Sequence, residues 1–150
     1  MMKISRNPSS SPLVSAGLLL LRMFAGTALM FHGFGKLQNP FGWMGPSMPG
    51  WLQALSVLAE FGGGLALILG LLTPIACLGL LCNFGVAVFT HISHGDPFVG
   101  MKGPSFESAL GYFTIALTFL LTGPGAFSLD ALIFGRSKTS RESATAKKRT

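Results

Sequence analysis

Apolar residues in this chain run in four long, nearly unbroken stretches, at 13–34, 51–74, 75–92 and 106–121, parted by short segments of Pro, Gly and polar residues. A helix rising about 1.5 Å per residue needs roughly 20 residues to cross a hydrocarbon core ~30 Å thick, and these stretches are of that order. An amphipathic helix or a half-buried strand of a soluble domain would interrupt them with a polar face. The pattern predicts an all-α fold, an integral membrane four-helix bundle over 13–134 that ends in a short C-terminal interfacial helix.

Within each stretch the few small and polar residues recur at intervals of three and four, which places them on one helix face. On the first helix they are Arg22, Gly26, Leu29, Gly33 and Lys36, and on the second Gln53, Ser56, Glu60, Gly63, Gly64 and Leu67. The third carries Gly79, Asn83, Ala87, Thr90 and His94, with His91 alongside, and the fourth Glu107, Gly111, Thr114 and Thr118. Small residues let membrane helices approach closely, and polar side chains at depth need partners on a neighbour. The four stripes are therefore expected to converge in a polar seam containing Arg22, Glu60, Asn83 and Glu107.

Glu60 organises that seam. A carboxylate at the bilayer centre costs on the order of 2.5–3.5 kcal/mol, so it is expected to face a partner, a cavity or a ligand. Counted from Leu13 and from Trp51, Arg22 and Glu60 each lie about 13 Å deep, which makes Arg22 the expected partner. Such a pair either fixes helix register or forms a ligand or proton site. A second group, His32, Lys36, His91 and His94 with Glu107, gathers near the mouth formed by the 37–50 and 93–105 loops. Trp43 and Trp51 suit the headgroup level there.

The remaining segments set the boundaries. Residues 1–12 form a polar tail with Lys3 and Arg6, and the first helix reads as retained, because its apolar run continues past Arg22 without a small-x-small cleavage site. Pro74 suits the first turn of the third helix after a tight hairpin. GPGAFSLDALIFGR, from 123, predicts a turn and a short interfacial helix capped by Ser128. A basic, disordered tail is expected over 135–150.

Composition agrees, with 49% hydrophobic and 11% charged residues, against roughly 25% charged in soluble domains. The net charge of +6 would suggest nucleic acid if it formed a patch, yet six of the eleven Lys and Arg residues stand in the last fifteen positions. Basic ends flanking an even number of spans place both termini in the cytoplasm and the 37–50 and 93–105 loops outside. Cys77 and Cys82 form no C-x-x-C motif and read as buried small hydrophobes. No metal site is expected, since His91, His94 and Glu107 lack a recognised ligand spacing. GFGK and FGGG likewise lack the strand and helix context of a phosphate cradle.

HGFGKL (32–37), AEFGGGLALILGLLTP (59–74), the His91 region, Glu107 and GPGAFSLD (123–130), in this order on four helices, resemble the DoxX family of small bacterial membrane proteins over roughly residues 18–134. The resemblance implies a multi-pass protein of the bacterial inner membrane. It also implies a membrane subunit or scaffold of a redox- or quinone-linked or oxidative-stress assembly, since the family takes its name from a small subunit of such a complex. The family's recurrent polar positions fall here on Arg22, His32, Lys36, Glu60, His91 and Glu107. Quinone is then the expected cofactor, the bilayer, redox-enzyme subunits and further copies of the chain the expected partners, and any catalysis that of a quinone-linked oxidoreductase. Two other classes stay open: a small proton-coupled transporter or channel relaying through Glu60 and the histidines, and a bundle of purely structural role.

Overall fold

The computed structural model describes residues 11–101 and 103–134; most of the expected 1–12 tail and the whole 135–150 tail lie outside them. Four helices follow one another: α1 (Pro12–Leu37), α2 (Gly50–Leu69), α3 (Thr73–Ser93) and α4 (Glu107–Thr122). A short helix, α5, occupies 129–134. Three of them are long and apolar enough to cross a bilayer, while α4, with 16 residues, spans about 24 Å. Phe24, Phe31, Ile75, Phe89 and Leu121 all point outward, each at least two-thirds exposed, which in water would be an aggregating surface and in lipid is the contact face.

The order of packing is α1 on α2, α2 on α3 and α3 on α4, whereas α1 and α4 hardly touch. Glycines decide the closeness of the first pair. A Cβ added at Gly26 would stand 2.6 Å from the Gly64 carbonyl oxygen, and one at Gly33 would stand 2.7 Å from the Phe61 amide nitrogen. Backbone therefore lies on backbone, as small-residue interfaces in membranes permit. The core beyond this crossing is apolar: Leu29, Leu67, Cys77, Leu80, Phe84, Ala109, Ala116 and Phe119.

Halfway along α2 the helix widens into a π-turn over Leu58–Gly62, where the Gly63 amide reaches as far back as the Leu58 carbonyl. Such turns are rare and concentrate at functional sites. Glu60 sits at the centre of this one.

The stripes of α1 and α2 lie inside as expected: Arg22, Gly26, Leu29 and Gly33 are buried, as are Gln53, Glu60, Gly63, Gly64 and Leu67. Those of α3 and α4 do so only in part, with Asn83 and Ala87 half-buried. The buried face of α3 is Thr73, Cys77, Leu80 and Phe84, with Gly79 outside, and that of α4 is Ala109, Ala116 and Phe119. Glu107, Gly111 and Thr114 face outward. The reason is that a threonine hydroxyl satisfies itself within its own helix: Thr114 and Thr118 each donate to the carbonyl four residues back, at 2.8 Å. Cys82 is also exposed, contrary to the expectation of burial.

The chain after α4 folds back over the α2–α3 hairpin. Ser128 caps α5 by accepting from the Ala131 amide at 3.1 Å, as predicted. Its neighbour does more, since the Asp130 carboxylate accepts from the amides of Leu72 (2.8 Å) and Thr73 (2.9 Å) at the start of α3. Leu72 holds a left-handed conformation (φ 50°) that a branched residue rarely adopts, and Asp130 fixes it there. The Asp130 amide in turn donates to the Gly70 carbonyl at 2.8 Å.

Candidate functional site

The bundle has two polar centres, one at each end. At the hairpin end Arg22, only 1% exposed, donates to the Phe127 carbonyl and lies against Gly70, near Asp130. There is no room at Gly70 for a side chain, because the guanidinium fills the place its Cβ would take. Arg22 thus ties the 123–130 strap to α1, and the Ser15 hydroxyl assists by accepting from the Ala126 amide at 3.2 Å.

The expected Arg22–Glu60 pair is therefore not formed. The glycine contacts explain why: they set Gly26 against Gly64 and Gly33 against Phe61, a register that brings Arg22 level with Gly70 and Glu60 level with the last turns of α1. Bringing Arg22 to Glu60 would require a slide of about ten residues, ~15 Å. Depth counted from Leu13 misplaces Arg22, since the first turns of α1 overhang the α2–α3 hairpin and are covered by the strap.

At the opposite end, which carries the two long loops, Glu60 meets Lys36. Lys36 Nζ lies 2.6 Å from Glu60 Oε1, and Asn83 Nδ2 donates to the same oxygen at 3.0 Å. Three helices thus converge on one carboxylate atom, and the partner Asn83 needs is found. The other oxygen, Oε2, is buried and has no hydrogen-bond partner among the described residues. Buried acceptors are rarely left so, and an exception asks for an explanation.

Beside the carboxylate lies a cavity of about 210 Å³, lined by His32 and Lys36 of α1, Glu60 of α2, Phe84, Ala87 and His91 of α3, and Ser108, Ala109 and Tyr112 of α4. Tyr112 stacks on Phe84 with ring centres 5.2 Å apart and meets His32 edge-on at 5.7 Å. His91 holds Asp96 at 2.7 Å through Nδ1, a contact that fixes the ring and leaves its other nitrogen without a hydrogen bond among the described residues.

The loop after α1 folds over Lys36. Gln53, 1% exposed, accepts from the Met44 amide (2.8 Å) and donates to the carbonyls of Gly45 (2.9 Å) and Met48 (2.7 Å). Its own carbonyl accepts from the Trp43 indole at 3.2 Å. The loop so folded lays the Trp43 ring over Lys36 Nζ, 4.2 Å from the ring centre, a cation–π contact.

Of the residues singled out from the sequence, Glu60, Asn83, Lys36, His32 and His91 come together here. Arg22 stands at the other end, and His94 and Glu107 are exposed outside the cavity lining. Tyr112, Asp96 and Ser108 escaped that reading, while Trp43, read as suited to the headgroup level, lies over Lys36. Tyr112 carried one signal, being the sole tyrosine of the chain, in the middle of a membrane helix. Among the described residues no group of three or more His, Cys, Asp or Glu is placed to hold a metal ion.

Comparison with known proteins bears on the same segments. A family model described as DoxX matches residues 17–93, which include Arg22, His32, Lys36, Glu60, Asn83 and His91. Inner membrane protein YqjF of Escherichia coli (strain K12) is 30% identical over 126 residues, covering 81% of this chain and 95% of that protein. Inner membrane protein YphA of the same organism is 31% identical over 123 residues, 75% of this chain and 87% of that protein. No solved structure matches the chain. With the family model covering half of the sequence and two relatives aligned over most of theirs, the chain belongs to the DoxX family.

Proposed function

We propose that this protein is a small inner-membrane subunit or scaffold of a redox-linked assembly, and that the cavity beside Glu60 holds the headgroup of a quinone or quinol. One observation carries the reading: Glu60 Oε2 is buried, unpartnered and next to a cavity with aromatic walls. An acceptor in that position suits a hydroxyl donor. The volume supports a single ring, since cavities of about 150 Å³ hold benzene and sites for drug-sized ligands start near 300 Å³. Glu60 would accept from a hydroxyl, His91 or Ser108 would meet the opposite oxygen, and the stacked Tyr112 and Phe84 would wall one side of the ring. When bound, a quinone supplies two-electron chemistry at its oxygens; the residues of this chain bind it, orient it and keep water from its face.

The relatives' names place them in the inner membrane, and six Lys and Arg residues in the last fifteen positions favour cytoplasmic termini. The test of the headgroup site uses the Trp51→Phe protein in detergent, leaving Trp43 as its one indole. Tailless benzoquinol, kept reduced so that it carries the hydroxyl donor, is expected to quench Trp43 saturably, with an affinity at least tenfold lower in Glu60→Gln. Quenching that rises linearly without saturation would dismiss the site.

A second reading, proton conduction, draws on the His91–Asp96 pair, which joins the cavity to the loop after α3. Proton flux into liposomes that depends on Glu60 and not on added quinone would favour it over the first.

A further inference from the structure

The cavity beside Glu60 has a back and two side walls, and between the side walls its front is thinly closed. Its back is Glu60 of α2 with Phe84, Ala87 and His91 of α3, and its sides are His32 and Lys36 of α1 and Ser108, Ala109 and Tyr112 of α4. No described residue of either loop lines it. Yet α1 and α4, which form the two sides, hardly touch each other, and at this level the contact between them is the edge of His32 against Tyr112.

The flanks of that seam are bare. A Cβ placed at Gly35, one turn beyond His32, would meet nothing within 4 Å, and the same holds at Gly111, next to Tyr112. His32 and Ser108 are exposed, and Phe31 (76%) and Phe34 (57%) stand outward on the α1 side. The polar floor thus opens sideways, through a slot bordered by glycine and aromatic side chains, onto the surface that faces lipid.

We infer that the α1–α4 seam is a second subsite, which takes the apolar tail of an amphiphile whose ring lies beside Glu60, so that the ligand enters from the bilayer. The His32–Tyr112 contact is the gate of this slot. Two ring edges in van der Waals contact part without breaking a hydrogen bond, whereas the Lys36–Glu60–Asn83 cluster behind them stays in place. The bare glycines leave room for a chain at the surface without displacing a packed side chain. A water-soluble ligand would instead have to come from the loop end, past the Trp43 indole seated on Lys36.

This inference rests on the headgroup reading, and its test separates the two. A benzoquinol with a short alkyl tail ending in a diazirine, kept reduced, is photolysed with the full chain in nanodiscs, and the labelled residues are mapped by mass spectrometry, with and without excess tailless benzoquinol. Labelling is expected within 28–35 of α1 and 111–115 of α4, lost when the tailless ring is in excess, and not at Gly79 on the far side of α3. Labels falling instead on 38–49 or 94–101, competed in the same way, would overturn the lateral slot while leaving the headgroup site standing. So would saturable Trp43 quenching with no competed label on the seam. Neither quenching nor competed labelling would remove both.

Discussion

Lys36 and Glu60, twenty-four positions apart, share an ion pair of 2.6 Å between the last turn of one helix and the π-turn of the next. The side chains are 23% and 5% exposed, so neither charge is well solvated. Removing one partner from such a pair leaves a charge buried without compensation, which costs more than removing both. Lys36→Met is therefore expected to destabilise the protein by about 3 kcal/mol, and Lys36→Met with Glu60→Gln by at least about 1 kcal/mol less. Unfolding in mixed detergent, read as a double-mutant cycle, measures the difference. A double variant destabilised by the sum of the separate Lys36→Met and Glu60→Gln changes would mean that the pair is not coupled.

The crossing of α1 and α2 depends on the absence of two methyl groups. Alanine at Gly26 or Gly64 would set a Cβ 2.6 or 2.7 Å from the facing carbonyl oxygen, and a backbone has no rotamer with which to give way. Each substitution is expected to cost about 1–3 kcal/mol, as overpacking does. Gly79→Ala, where nothing lies within 4 Å, is the matched control and is expected to leave stability unchanged or slightly raised.

How much of this was readable beforehand varied from helix to helix. The four helices themselves were legible because lipid demands long apolar runs, and the inward stripes of α1 and α2 were legible because Gly26, Gly33 and Gly64 mark a close approach. The face of α3 was legible only at Asn83 and Ala87, and that of α4 was not. Gly79, Gly111 and Thr114 look like seam residues by spacing, but glycine has no side chain that needs cover and threonine can bond its own helix, so neither is compelled inward. The choice between Arg22 and Lys36 as the partner of Glu60 turned on register, and register is set by contacts between helices. Asp130 belongs to the same class: its carboxylate acts on amides 57 and 58 positions away, and nothing local announces this.

The strap offers a separate test. Asp130→Ala removes both acceptors from the first turn of α3 and the anion nearest Arg22, with an expected cost of about 1 kcal/mol for the cap alone. Its sharper signature is local. Hydrogen exchange at the amides of 126–131 and of Leu72 and Thr73 is expected to accelerate, while amides in the middle of α1 and α2 keep their protection. Uniform acceleration would show that the strap is part of the global core.

Gln53 governs the loop that seats Trp43. Gln53→Ala deletes three side-chain hydrogen bonds in a buried place, at a net cost of about 2 kcal/mol or more. In a Trp51→Phe background the emission of Trp43 is expected to shift as the ring leaves Lys36. An unchanged spectrum would mean that the loop holds its shape without Gln53.

At the centre of the proposed site is a buried carboxylate with one oxygen held by the protein and the other without a partner among the described residues. Native mass spectrometry of the full chain, extracted gently from its membrane, tests this most directly, because it weighs whatever travels with each folded molecule. The account predicts an adduct with the mass of a quinone or quinol, present in the unaltered protein and lost from folded Glu60→Gln. A protein that carries no such adduct, or a Glu60→Gln variant that carries it undiminished, would contradict it.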